Sequence, residues 1–201
     1  LTMSELEDIY LPYRPKRRTR ATVAKEKGLG PLAEIIFRQE ENDPLKRAEE
    51  FLNENVETVE DAVEGARDII AEWVNEDEAA RKSMRHFYER NAIIVSRVIK
   101  GKESEGNKYS DYFEWSEPLS KCPSHRLLAM RRGKEEGFLR LSVEVEENFS
   151  LDILRSVFIK SANQSSEYVK EAVTDSWKRL LAPSMETEFH NISKGKADDE
   201  A

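Results

Sequence analysis

A chain of 201 residues, 38% hydrophobic and 36% charged, has room for one sizeable core or two small ones and favours amphipathic helices over buried parallel strands. Apolar runs such as residues 92–95 fall far short of the roughly 20 residues that cross a bilayer, and the acids among residues 1–10 do not match the basic head of a secretory signal. The net charge of −8 argues against a polyanionic partner only if it is spread evenly, and it is not.

Ser4 followed by Glu7 has capping-box spacing and predicts a short helix towards Tyr10, which Leu11-Pro12-Tyr13 turns out. A basic stretch follows. Gly30-Pro31 opens a helix with Leu32, Ile35 and Ile36 on one side, and Asp43-Pro44 starts another carrying Leu45, Ala48, Phe51 and Leu52. These two are expected to lie against each other. Thr58 with Asp61 begins the clearest helix, whose stripe is Val59, Ala62, Val63, Ala66, Ile69, Ile70, Trp73 and Val74. A further helix over residues 78–91 presents Ala80, Met84, Phe87 and Tyr88. The short link between them predicts an antiparallel pair of helix-turn-helix character.

Residues 93–99 are β-branched and continuous, and residues 138–145 alternate Leu139, Leu141, Val143 and Val145 with polar partners, so one small β element is expected. Between them lies a glycine- and charge-rich loop, residues 101–110, with Tyr109, Tyr112, Phe113 and Trp115 as an aromatic cluster to anchor it. Ser124 is read as the cap of a helix that ends at Gly133. Leu151, Leu154 and Phe158 mark a short helix after Ser150, and another over residues 166–181 is expected to stop at Pro183. From Ser184 a polar helical pattern runs on without a stop signal, and the first residue is Leu1, so neighbouring domains are expected; residues 194–201 read as disordered.

The loop at residues 101–109 invites a phosphate-loop reading but lacks its chemistry. Asn107 intervenes between Gly106 and Lys108, and Tyr109 replaces the magnesium-binding hydroxyl. His86, His125 and His190 lie on separate segments, and the single cysteine, Cys122, neither completes a zinc cluster nor closes an internal disulfide. Ser124 and His125 are adjacent, a spacing that gives a nucleophile no general base. With no carboxylate dyad or nucleophile elbow, the expectation is a non-enzymatic protein without cofactor or metal, at home in the cytoplasm.

Charge patterning is the most informative feature. Residues 11–30 hold seven bases, Arg14, Lys16, Arg17, Arg18, Arg20, Lys25 and Lys27, against the single acid Glu26, whereas residues 40–80 hold fifteen acids and three bases. Five cations within residues 14–20 form a field that phosphates would neutralise with release of counter-ions. The acidic helices of the same chain offer an internal destination for those cations, and both readings stay open. A second patch, with Lys121, Arg126, Arg131, Arg132, Lys134 and Arg140 against two acids in residues 121–140, favours binding; His125 lies within it.

Four strings carry a more specific resemblance: LEDIYLPYRPKRRTRATVAKEKGLGPLA at residues 6–33, KGKESEGNKYSDYF at 100–113, PSHRLLAMRRG at 123–133 and DSWKRLLAPSMETE at 175–188. In this order they resemble the N-terminal region of the Tex family of bacterial transcription accessory proteins, across essentially the whole chain. The resemblance implies a large cytoplasmic protein whose helical N-terminal part has helix-turn-helix character. A YqgF-type domain, helix-hairpin-helix repeats and a C-terminal RNA-binding module would follow it, none of them within these residues. It also implies nucleic-acid binding and kinship to a eukaryotic elongation factor.

The sequence therefore predicts a mainly α fold, a helical bundle with helix-turn-helix character and one small β element. Its parts are read as a helical region with the basic run (residues 1–100), a helical region with the β element (101–183) and the start of a linking helix (184–201). Expected partners are RNA or DNA, transcription machinery and the missing downstream domains, with no membrane. The alternative is a protein-interaction scaffold.

Overall fold

Thirteen regular elements succeed one another in the computed structural model, which describes residues 2–13 and 17–201. They are α1 (Met3–Tyr10), α2 (Arg20–Glu26), α3 (Gly30–Arg38), α4 (Pro44–Ala48), α5 (Val59–Glu76), α6 (Glu78–Asn91), β1 (Ile93–Val98), β2 (Glu114–Pro118), α7 (Ser124–Glu135), β3 (Leu139–Glu144), α8 (Glu147–Phe158), α9 (Gln164–Ser176) and α10 (Ala182–Glu200). The fold is mainly α with one small sheet, the class read from the sequence.

Caps explain most borders. The hydroxyl of Thr58 accepts from the Asp61 backbone at 3.1 Å and opens α5 at the expected residue. At α1 the capping box is made by Thr2 and Glu5, reciprocally at 3.1 Å, and not by Ser4 and Glu7. Two helices end in the same left-handed glycine cap. After α2, Gly28 takes φ +82°, with Leu29 N–H donating to Ala24 and Gly28 N–H to Lys25; after α7, Gly137 takes φ +87°, with Phe138 donating to Gly133 and Gly137 to Lys134. Gly133, read as the stop of α7, is instead inside the helix. A Cβ there would sit 2.4 Å from Leu139 Cδ1, so glycine is what lets β3 cross the helix closely. Ser124 is the first helical residue after Pro123, not the cap.

Packing groups residues 1–83 with 148–182, and residues 84–147 with 183–201. In the first unit α5 lies against α2, α3, α4 and α9. Leu29, Leu32, Ile36, Ile69, Ile70, Leu154 and Leu181 are almost wholly buried, each contributing about 1.5–3 kcal/mol through the area removed from water. Phe37 stands 5.6 Å from the Trp73 ring and 6.1 Å from Phe158. Gln39, with φ 59°, donates through Nε2 to the Phe158 carbonyl at 2.7 Å and accepts through Oε1 from Lys160 N at 2.8 Å. Its own carbonyl accepts from Asn163 Nδ2 at 2.7 Å, and this network fixes the turn that leads into α9.

The second unit holds an antiparallel sheet in the order β2-β1-β3, with Ile94 opposite Glu117 on one side and Val143 on the other. Strand β2 has no counterpart in the sequence reading. Ile94, Leu127, Met130, Leu141 and Ala197 form the core beneath it. Arg85 grips Glu188 at 3.1 and 3.2 Å, and Tyr88 stands 5.4 Å from Phe189, so α6 and α10 are tied by polar and aromatic contacts. The loop at residues 101–110 is held by its aromatics in two pairs and not one cluster, Tyr109 with Phe138 at 6.1 Å and Tyr112 edge-on to Trp115 at 6.4 Å. The Tyr109 hydroxyl also donates to Glu136 at 2.6 Å, fixing the loop to the end of α7.

Pro183 does not stop the chain's helical course. A π turn at Trp177–Leu181 closes with the Ala182 N–H on the Trp177 carbonyl, which makes room for the proline ring where a regular turn would clash. Helix α10 then runs to Glu200, so residues 194–200 are helical where disorder was expected.

Candidate nucleic-acid interface

The basic run lies where α1 gives way to α2. Arg14 and Lys16 fall outside the described residues. Thr19 caps α2 by accepting from Thr22 N at 3.1 Å, and it donates to Glu72 Oε2 on α5 at 3.0 Å. Small Ala21 and Ala24 are buried towards α5, where Gly65 leaves the space that Leu29 fills. That packing leaves Arg17, Arg18, Arg20, Lys25 and Lys27 exposed. Arg18 pairs with Glu26 at 3.0 Å, both side chains at least half exposed, while the other four make no ion pair with a described residue.

The acidic side of α5 does feel these charges. Burial pushes the Asp68 carboxyl above its ordinary range, while the charges of Arg179 and Arg20 pull it back and Asp175 and Glu64 push it further. Arg20 thus shares its field with Asp68 without forming a contact pair.

The second patch divides. Lys121, His125 and Arg132 are exposed along the approach to α7 and on the helix itself. Arg126 is consumed internally: its Nε lies 2.8 Å from Glu117 Oε2 and its guanidinium 5.2 Å from the Trp115 ring centroid, while Trp115 Nε1 donates to the same carboxylate at 2.7 Å. Arg126 is therefore a structural residue of the sheet–helix seam and not an open cation. Arg131 is half-buried. With Lys134 it depresses the pKa of His190, for which burial is the larger cause and Glu186, 3.5 Å away, the opposing influence.

The sequence assigns two aromatic residues only to a helix end and its turn, with no place in the site. Tyr10 and Tyr13 are 58% and 82% exposed immediately before the basic run. The signal was present in the string itself, since residues three apart on a helical segment share one side.

In the second unit a cleft of about 320 Å³ is bordered by Cys122, Leu127, Phe189 and Ile192. Burial, and then the carboxylate of Glu117, push the Cys122 thiol up to about 11, which makes it a poor nucleophile near neutral pH.

Residues 39–201 match the family model described as Tex central region-like, a central and not an N-terminal region of that family. Protein YhgF of Escherichia coli is 38% identical over 213 residues, covering 100% of this chain and 28% of that protein. Transcriptional accessory protein Tex of Neisseria gonorrhoeae is 36% identical, covering 98% and 27%. A more distant relative, the transcription elongation factor SPT6 homolog of Arabidopsis thaliana, is 24% identical, covering 92% and 13%. The chain thus spans little more than a quarter of the bacterial relatives it matches. With a family model covering most of its length and bacterial relatives aligned over 98–100% of it, the chain belongs to the Tex family.

Proposed function

We propose that the chain is a non-catalytic, nucleic-acid-contacting scaffold region of a cytoplasmic transcription accessory protein, meeting DNA or RNA weakly and without sequence preference. The observation that carries this reading is the set of exposed cations beside α2. Arg17, Arg20, Lys25 and Lys27 are not consumed by described carboxylates, and the exposed Arg18–Glu26 pair is worth only about 0–1 kcal/mol, little competition for a phosphate. The names of the relatives, a transcriptional accessory protein and a transcription elongation factor, support the biological setting.

Titrating the chain with DNA and RNA duplexes over a series of salt concentrations tests the proposal. Engagement of about four phosphates gives a slope of log affinity on log salt of about −3 to −4. Salt-insensitive binding, or none at low salt, rejects it.

A second reading has its own support. The Thr19–Glu72 hydrogen bond and the seating of α2 on α5 make the run part of the first unit's architecture, and its cations are then a docking face for transcription partners or other domains of the longer protein. On that reading the substitution of Arg17, Arg18 and Arg20 by Ala weakens stability or domain association and leaves nucleic-acid affinity of the longer protein unchanged.

A further inference from the structure

We propose that Tyr10 and Tyr13 form a base-stacking platform, so that the start of the chain grips unpaired bases of single-stranded nucleic acid; this rests on the phosphate-binding reading above and narrows it to one substrate form. Helix α1 has two unlike sides. Inward, Asp8 is buried in an ion pair with Arg81 at 2.6 Å. Outward, Met3 is 72% exposed, Tyr10 58% and Tyr13 82%.

Leu11 keeps right-handed helical angles, φ −53° and ψ −45°, and Leu11–Tyr13 forms a 3-10 turn. In that geometry residues three apart stand one above the other, so both tyrosine rings lie on one side. Neither ring has an aromatic or hydrogen-bonding partner among the described residues.

Exposed tyrosines followed at once by arginines combine two complementary chemistries. A ring face accepts any base by stacking, and guanidinium groups attract the phosphates that join successive bases. The chain from Tyr13 to Arg17 spans at most about 14 Å, which keeps rings and cations within one short stretch of strand. A duplex hides its base faces and offers the same arginines only phosphate, leaving the tyrosines idle.

The test uses the whole chain, labelled oligothymidylate and a blunt duplex of equal length, with three variants: Y10A/Y13A, Y10F/Y13F and R17A/R18A/R20A. Both tyrosines are exposed, so circular dichroism of the variants is expected to match the parent. The expected result is a fall of about 5- to 150-fold in single-strand affinity for each stacked ring removed in Y10A/Y13A, with duplex affinity and salt slope unchanged. The phenylalanine variant, which keeps the rings, retains parental affinity. Unchanged single-strand affinity in Y10A/Y13A, or an equal loss for duplex, overturns the stacking assignment while a loss in the arginine variant keeps the phosphate reading alive. Absence of binding by the parent, or full binding by the arginine variant, overturns the phosphate reading itself.

Discussion

The Thr19 hydroxyl donates a 3.0 Å hydrogen bond to Glu72 while accepting 3.1 Å from Thr22 N, so one side chain both starts α2 and fastens it to α5. Thr19→Ala removes both interactions, and a lost N-cap costs about 0.5–2 kcal/mol. Urea denaturation is expected to show that loss, with Thr19→Ser close to the parent. Equal stability of Thr19→Ala and parent would show that the cap is not what holds α2.

Asp8 and Arg81 are 5% and 8% exposed at 2.6 Å, and Arg81 also donates to the Asn75 carbonyl at 3.0 Å. Asp8→Ala breaks a buried ion pair and is expected to cost about 3–5 kcal/mol, whereas replacing both partners by apolar residues of similar volume costs far less. A double-mutant cycle on unfolding free energy measures the difference. Equal costs for the single and double changes would contradict the ion pair's role.

At Gly133 an added Cβ meets Leu139 Cδ1 at 2.4 Å and Tyr109 Cδ1 at 3.2 Å. Alanine favours a helix interior by about 1 kcal/mol, yet overpacking of about 1–3 kcal/mol opposes it. Gly133→Ala is therefore expected to lower the melting temperature, and a rise would show that β3 moves aside freely.

His190 is held below its ordinary pKa by burial and by Lys134 and Arg131, with Glu186 opposing. A depressed folded pKa means that the native state favours the neutral ring. Its contribution is full above the unfolded value of about 6.5 and is lost as pH falls towards the folded value. Melting temperatures across that window are expected to fall more steeply for the parent than for His190→Gln. Parallel curves would exclude His190 as the titrating group.

Local patterns carried much of the fold. The Thr58 cap, the borders of α6 and the alternation around Leu141 were readable because their causes lie within a few residues. Helix α2 is bracketed by Thr19 as cap and Gly28 as stop, but its buried side rests on small Ala21 and Ala24 within a basic stretch and gives no apolar stripe to read. Strand β2 was hidden by its acids and Pro118, and only Trp115 and Glu117 turn inward even in part. Gly133 and Gly137 look alike as helix stops, and a tertiary contact with Leu139 distinguishes them. The same holds for the candidate site: counting charge put Arg126 in a patch, while Glu117 and Trp115, which occupy it, are brought close only by folding.

The most direct test of free cations beside α2 is the salt dependence of nucleic-acid affinity for the parent and for R17A/R18A/R20A, measured side by side with thermal stability. Free cations give the triple variant weaker binding at low salt, a slope shallower by about 2 to 3 for three lost phosphate contacts, and an unchanged melting temperature. An unchanged slope with a lowered melting temperature would show that these arginines serve the fold and not an external polyanion.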